Sequence, residues 1–440
     1  MLNLMAKGAN ALSSRSWVSD HPGENREIPP EWNGEHLRDF LSRELDNNRC
    51  ARHHRTRIRT EQNRFNTGVS PIAGWVACLP RLKSAESLHG AMKRAKALNS
   101  VILAAGDGTR LRSNRPKVLH EVCGHPMLHY VLRVAAEAAA DRHVIVVGYE
   151  GEQICQTFAG RSDVIFAEQK ERLGTGHAVQ MTREAFEGYE GDILILAGDT
   201  PLLTAQTLQN LVQWHRHQEA AVTILTTEMP EPRGYGRILR YEDNRLQGIV
   251  EEKDANRYER AIREINTGSY CFDAKALFEA LDQVTPQNVQ NEYYLTDCVR
   301  ILVEQGHRAE AVITDDHTEA IGVNTRVQLA EAEKILRQRI LVRHMMAGIT
   351  ILDPETCYVD EEVEIGKDSV LFPGTMITGK SRIGADCRIG PNTQIVSAEL
   401  GDGVVANSSY IEGVKLPSGA TVGPFATLRN TTPSQKDSGN

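Results

Sequence analysis

From residue 365 the chain counts in sixes. Aliphatic side chains stand at Ile365, Leu371, Ile377, Ile383, Ile389 and Ile395, with glycines between them at Gly366, Gly374, Gly379, Gly384 and Gly390. A period of six fits neither the 3.6 of an α-helix nor the 2 of a flat strand. It fits a parallel β-helix, in which each aliphatic residue points into a stacked prism core that no single coil could bury alone. After a slip between Ser397 and Val405 the pattern resumes at Ile411, Leu416 and Val422 and then meets a polar tail from Thr431 to Asn440. The spacing predicts about three coils, the last without an evident cap.

Upstream the rhythm is different. Short apolar runs bounded by turn residues (Val101 to Ala105, Val144 to Val147, Val164 to Ala167, Ile193 to Ala197, Val222 to Leu225) alternate with helical patterns such as Met127 to Ala140 and Leu208 to His217. Strand, helix, strand in repetition predicts an α/β domain with a mostly parallel sheet covered on both faces, whose ligand sits at the carboxyl ends of the strands. Tyr235 to Val250 reads as an inserted antiparallel ribbon, and Val327 to Met346 as an amphipathic linker helix. With 440 residues, a prior of roughly 150 per domain suggests about three units.

Composition narrows the partners. A net charge of -8 opposes nucleic acid or an anionic membrane as the main partner, since both need a cationic field. No apolar run approaches the roughly 18 residues that span a bilayer, and no signal-peptide pattern opens the chain, so a cytoplasmic location is expected. Eight cysteines without a C-x-x-C pair argue against zinc and for buried, reduced thiols. Residues 1–91 stand apart, with an Arg/His tract from Arg49 to Arg64 and three of the four tryptophans, Trp17, Trp32 and Trp75. They read either as a basic appendage that binds an anion or, preferably, as an unstructured or mis-started segment ahead of Met92.

The segment richest in chemistry is LAAGDGTRLRSNRPK, Leu103 to Lys117. It leaves a buried strand, turns on Gly106 and Gly108, and carries Arg110, Arg112, Arg115 and Lys117. Glycines there let backbone N–H groups approach an anion, and the cations neutralise charge that develops as a phosphoryl bond breaks. No Gly-Lys-Ser/Thr follows, so it is not a P-loop, and Leu111 replaces the third glycine of a dinucleotide fingerprint. Asp199 follows the apolar run Ile193 to Ala197, which places a hard carboxylate at a strand's carboxyl end, where Mg2+ with few protein oxygens is at home. Taken alone, Asp199 is as well explained as a helix cap, and Gly322-Asn324 as a turn.

The loop resembles the signature of the sugar-phosphate nucleotidyltransferases. LGTGHA (Leu173 to Ala178), AGDTPL (Ala197 to Leu202), GYGRI (Gly234 to Ile238), GIVEEKDA (Gly248 to Ala255), EINTG (Glu264 to Gly268), NEYYLTD (Asn291 to Asp297) and GVN (Gly322 to Asn324) narrow the likeness. Together they resemble the family of bifunctional bacterial enzymes that make UDP-N-acetylglucosamine, over about residues 98 to 428. That resemblance implies a Rossmann-like nucleotidyltransferase domain followed by a short left-handed parallel β-helix. It implies transfer of UMP from UTP to N-acetylglucosamine 1-phosphate with release of pyrophosphate, Mg2+ as cofactor, a product used for peptidoglycan and lipopolysaccharide precursors, and a possible homotrimer through the β-helix. Residue by residue, it implies nucleotide contacts by Leu103, Ala104, Ala105, Gly106, Lys117, Gln169, Gly174, Thr175, Ala197, Gly198 and Asp199. Arg110 and Lys117 would hold the leaving pyrophosphate and the reacting phosphates. Gly236, Glu251, Asn266 and Asn324 would receive the sugar, and Asp199 and Asn324 would ligate the metal. The implied divisions are 1–97 unassigned, 98–325 nucleotidyltransferase, 326–350 linker helix, 351–428 truncated β-helix and 429–440 tail.

Two departures matter. The family usually has Gln where this chain has Arg172, on the uracil side. Acetyl transfer to an amine needs a base, supplied in the family by a histidine on a later coil in an H-x-x-Y context; no histidine follows His344 here, and Arg429 stands without the rest of that site. Acetyltransferase activity is therefore expected to be absent. His177 is read as a structural hydrogen-bonding residue, because a phosphate nucleophile asks for no base. Alternative readings are a non-catalytic regulatory protein on the same fold and a uridylyltransferase for another sugar 1-phosphate. Intact Arg110, Lys117, Asp199 and Asn324 speak against the first, and Glu251, Asn266 and GYGRI against the second.

Overall fold

The computed structural model describes residues 16–18, 25–27, 96–148 and 151–430. The chain divides into residues 1–89 and 90–440. The first unit contributes one antiparallel strand pair, Ser16–Val18 with Asn25–Glu27, to the described residues. Apart from that pair, the readings made of residues 1–91, of Cys50 and Cys78, and of the tail beyond 430 lie outside the described residues.

The second unit opens with a nine-stranded mixed sheet. Its strands are β1 (Ala97–Leu103), β2 (His143–Gly148), β3 (Val164–Gln169), β4 (Gly191–Ala197), β5 (Val222–Glu228), β6 (Arg237–Arg240), β7 (Leu246–Val250), β8 (Glu264–Asp273) and β9 (Ala309–Ile313). The order is β7-β6-β8-β4-β1-β2-β3, with β5 pairing β8 and β9 off that path. β1, β2, β3 and β4 are mutually parallel, as the alternating pattern predicts, and β8 is antiparallel to both β4 and β5. The apolar runs are nearly continuous because both faces are buried. Val101, Val144, Ile193 and Ile195 enter one core with α3 (Thr175–Gln180), α5 (Ala274–Leu281) and α6 (Leu295–Glu304). Their neighbours Ile102, Ile145, Leu194 and Leu196 enter the other with α1 (Met127–Glu137), α2 (Glu152–Phe158) and α4 (Ala205–His217). β6 and β7 form the expected ribbon, Ile238 opposite Ile249.

The linker helix, α7 (Arg326–Met346), starts at Thr325, whose hydroxyl oxygen accepts from the Gln328 N–H at 3.2 Å. It buries Ala332, Leu336, Ile340 and Leu341 in a single core that runs from Met127 and Tyr130 of the α/β domain to Ile351, Ile377 and Ile411. The two parts of this unit thus share apolar packing through α7.

The repeat folds as a left-handed parallel β-helix with three faces, but it is longer than the spacing suggests. The faces hold five, five and four strands, so the described residues make four coils and begin a fifth, where the sequence predicted about three. The first coil escaped notice because Ile351 and Val359 are separated by a turn built on Asp353, which accepts from the Thr356 hydroxyl at 2.8 Å, and so break the period. The later coils are shorter. Ile383 stacks on Leu400 and Ile389 on Ala406, each one residue short of the 18 that separate Ile365 from Ile383. Both intervals include the corner at Ser397, and Ile395 stacks on Ile411 only 16 residues on, across a further corner at Ser408; both corners keep the left-handed φ of the longer coil below, with fewer residues to the next or from the preceding strand. Among the described residues no helix is long and apolar enough to cross a membrane. Five of the six described cysteines are buried, and all six are free.

Candidate active site

β1 and β4 lie side by side and end in register, Leu103 opposite Ala197. The residues just beyond the two strands are therefore delivered to one edge of the sheet: Ala104 to Gly106 from β1, Gly198 and Asp199 from β4. β3 brings Gln169 to the same edge, in register with Gly148 of β2. A cleft of about 310 Å³ opens there, lined by Leu103, Ala104, Ala105, Gly106, Lys117, Gln169, Gly174, Thr175, Ala197 and Asp199. Of the residues expected at the nucleotide, only Gly198 does not face it. Its N–H donates to the Leu103 carbonyl at 2.9 Å, and a Cβ there would stand 3.0 Å from that oxygen, so Gly198 keeps the strand ends close.

The Gly-rich loop is shaped by backbone conformation. Gly108 has φ 60°, and an added Cβ would lie 2.7 Å from the Lys117 Cβ, so a side chain there would displace the lysine. At Gly106 an added Cβ would meet nothing within 4 Å, which leaves the space above it open to a ligand. The four cations of this segment part company. Arg115 turns away to pair with Glu121 at 2.8 Å, and Arg112 is exposed. Arg110 and Lys117 both reach Asn324, donating to its Oδ1 at 2.8 Å and 2.5 Å. Lys117 also forms an ion pair with Asp199. The backbone ties the metal candidates together: the Val323 N–H donates to the Asp199 carbonyl at 3.0 Å, and the Asn324 N–H to Gln328 Oε1 at 2.9 Å.

The carboxylate of Asp199 and the amide oxygen of Asn324 thus converge on one position, filled here by the Lys117 ammonium. Two hard oxygens that share a cation fit a Mg2+ ion whose remaining ligands come from phosphate and water. Above them Gly322 leaves room, since a Cβ there would come no closer than 3.7 Å to Asp199.

Three of the four expected sugar residues, Gly236, Glu251 and Asn266, form a second cluster, whereas Asn324 stands with Lys117 and Arg110. The Asn266 N–H donates to the Gly236 carbonyl at 2.9 Å, and the Asn266 amide donates to the Tyr270 hydroxyl at 2.6 Å. A Cβ on Gly236 would lie 3.5 Å from both Asn266 and the Glu251 carboxylate. Glu251 accepts from Thr296 Oγ1 at 3.2 Å; burial pushes its carboxyl up, Thr296 opposes this, and Asp254, Asp297 and Glu292 add to the rise. On the uracil side the Gln169 amide donates to the Gly174 carbonyl at 3.0 Å and lies 3.1 Å from His177 Nδ1. His177 thus lies within hydrogen-bond reach of Gln169 and is not among the residues lining the cleft.

Several residues went unnoticed in the sequence. Tyr235, inside GYGRI, packs against the small core of Met229, Ile265 and Ala320 and so joins the sugar loop to the segment that leads to Gly322 and Asn324. Arg237, 2% exposed, pairs with Glu252 at 2.7 Å and locks GYGRI to the GIVEE hairpin. Both lie in quoted motifs, which was the available signal; that the partner of the buried Arg237 is Glu252 required the fold. Glu292 lines the nucleotide cleft from the NEYYLTD loop.

A larger concavity, about 630 Å³, lies at the opposite end of the sheet around Lys96, Asp192 and Asp273. Its charges are spent on one another. Asp192 is fully buried and receives Lys96 and Arg216 at 2.8 Å each; burial alone would raise its carboxyl, but His215, Lys96 and Arg216 hold it down at about 2. Volume therefore does not identify the site; the convergence of Lys117, Asp199 and Asn324 at the carboxyl edge does.

Residues 99–323 match the family model described as nucleotidyl transferase. The chain is 47% identical over 330 residues to the bifunctional protein GlmU of Geobacillus sp. (strain WCH70), covering 75% of this chain and 72% of the relative. It is 47% identical over 332 residues to GlmU of Caldanaerobacter subterraneus, covering 76% and 72%, and 44% identical over 331 residues to GlmU of Limosilactobacillus reuteri, covering 75% and 72%.

Proposed function

Since the chain belongs to the nucleotidyl transferase family and, within it, to the bifunctional GlmU proteins, we propose that it transfers UMP from UTP to N-acetylglucosamine 1-phosphate, with release of pyrophosphate. One observation carries this reading. Lys117, Asp199 and Asn324 meet, with Arg110 beside them, and Lys117 and Asp199 line the same cleft as the Gly-rich loop, Gln169, Gly174 and Thr175.

The triphosphate lies over the open backbone at Gly106, with uracil and ribose against Gln169, Gly174 and Thr175. The sugar ring is received by Glu251 and Asn266, close to Gly236, where a side chain would intrude. An oxygen of the sugar phosphate attacks the α phosphorus in line, and the bond from that phosphorus to the pyrophosphate oxygen breaks. The nucleophile is already anionic, so no general base is required. The chain's work is to bring the two anions together and to neutralise the charge that develops, with Lys117 at the reacting phosphates and Arg110 at the departing pyrophosphate. Asp199 and Asn324 would hold Mg2+, which supplies further charge neutralisation on the phosphates.

Within residues 351–430 no histidine is present to take a proton from an amine, so these coils are assigned a structural role without acetyl transfer. Free thiols throughout the described residues support a reducing compartment, the cytoplasm, and the β-helix is the surface through which three copies would associate. The product would supply cell-envelope precursor synthesis.

The test is pyrophosphate release by purified protein with UTP, Mg2+ and N-acetylglucosamine 1-phosphate, beside an Asp199→Ala variant. Release that vanishes in the variant supports the reading. Release only with a different sugar 1-phosphate reassigns the acceptor, and none with any acceptor favours a regulatory protein on this fold.

A further inference from the structure

Asp107 follows Gly106 and pairs with Arg172, both of which line the cleft, so its carboxylate stands beside the space proposed for the triphosphate. An uncompensated negative charge there repels a triphosphate. The structure compensates it: Arg172, on the loop between β3 and α3, forms an ion pair with Asp107 and also lines the cleft. Both side chains remain accessible, at 44% and 45%, so burial does not force the pair. It bridges the mouth of the cleft, joining the Gly-rich loop to the wall that carries Gly174 and Thr175.

Two further observations give the pair work to do. The cations in the cleft lining are Lys117 and Arg172, against the carboxylates Asp199 and Glu292, and Lys117 is already engaged by Asp199 and Asn324. Arg172 is therefore the cation left to offset the remaining negative charge at the rim. The loop's other ties fall on either side of Gly106 and Asp107: before them the Ala104 N–H to the Val146 carbonyl at 2.9 Å, and after them the Leu111 N–H to the Gly108 carbonyl at 2.8 Å, the Arg112 N–H to the Thr109 carbonyl at 3.1 Å, and Arg326 Nε to the Leu111 carbonyl at 3.3 Å. At Gly106 and Asp107 themselves, the part over which phosphate would pass, the pair with Arg172 is the one tie among the described residues.

We propose that Arg172 is a positioning residue for the nucleotide. By pairing with Asp107 it cancels that carboxylate's charge and holds the first half of the Gly-rich loop against the uracil-side wall, so that the triphosphate meets a preformed rim without net repulsion. The inference rests on the nucleotidyl-transfer reading but concerns UTP affinity, which is measurable without turnover.

The experiment compares wild type, Arg172→Gln, Asp107→Asn and the double variant. UTP binding is measured by calorimetry with Mg2+ and no sugar phosphate, and steady-state kinetics are measured alongside. Arg172→Gln should weaken UTP binding and raise its KM by about tenfold at low salt, with kcat altered by less than about twofold. Adding Asp107→Asn should bring binding back to within about threefold of wild type, because the charge that needed cancelling is gone. The loss should shrink at high salt, as expected for exposed charges. A purely structural role for Arg172 predicts no rescue. The proposal is overturned if Arg172→Gln binds UTP like wild type, if the double variant stays as weak as the single one, or if wild type binds no UTP at all. Wild type that binds UTP yet releases no pyrophosphate counts against the proposed reaction alone and leaves the Arg172 comparison in force.

Discussion

Lys117 occupies the point where three groups of opposite origin meet: a carboxylate from the end of β4, an amide from the loop ahead of α7, and its own ammonium from the loop after β1. If it is spent on the transition state rather than on binding, Lys117→Met should lower kcat by about a hundredfold to a thousandfold while moving the KM for UTP far less. A KM that rises with an intact kcat would make Lys117 an anchor only. At the same scale, His129 reports on the seam between the α/β domain and the β-helix. Burial lowers its imidazole to about 4, with His125, stacked on it at 4.2 Å, and Arg133 adding to the fall. A histidine with a depressed folded value binds fewer protons than the unfolded chain, so stability is intact above the ordinary value near 6.5 and is lost as pH falls toward 4. Thermal midpoints should therefore drop across that window, less steeply in His129→Gln. His120, His143 and His344, also lowered, will keep some of the slope. Parallel curves for the two proteins would remove His129 from the account.

At the scale of elements, α7 does more than link. Ile340 is 2% exposed in the core shared by both parts of the unit, and Ile340→Ala should cost about 2–5 kcal/mol, seen as a lower midpoint in thermal or urea unfolding. A cost below about 0.5 kcal/mol would mean that the shared core bears little of the stability. The strands and α7 were legible because their periods are strong: β1, β2 and β4 bury alternate residues in two cores, and the sequence carries that alternation openly. Coil number was not. The first coil's turn at Asp353 and the shortened corners at Ser397 and Ser408 change the spacing without changing the stacking, because inward residues are matched by backbone pairing between coils, whatever the number of residues at a corner.

For the whole molecule, the β-helix makes two outcomes measurable. Sedimentation should give three times the chain mass if the flat faces associate as proposed; a monomer at micromolar concentration would leave the coils as an appendage of the core built on α7. Protein incubated with acetyl-CoA and glucosamine 1-phosphate should release no coenzyme A thiol, and release would show that a group other than a histidine of residues 351–430 serves as base.

The six-residue period, the strand and helix alternation and the Gly-rich loop with its cations are local patterns, and local patterns survive in one dimension. They were enough to imply the β-helix, the mostly parallel sheet and the edge where a phosphate ligand would bind. Which cations face that edge was not implied. Arg110 and Arg115 are five residues apart on one loop, yet the left-handed turns at Gly108 and Arg112 send one to Asn324 and the other to Glu121. The meeting of Lys117 with Asn324, the lock of Arg237 on Glu252 and the pairing of Arg172 with Asp107 are likewise products of chain reversal. Each depends on which segments the sheet order sets side by side, and a charge has no period from which its partner could be read.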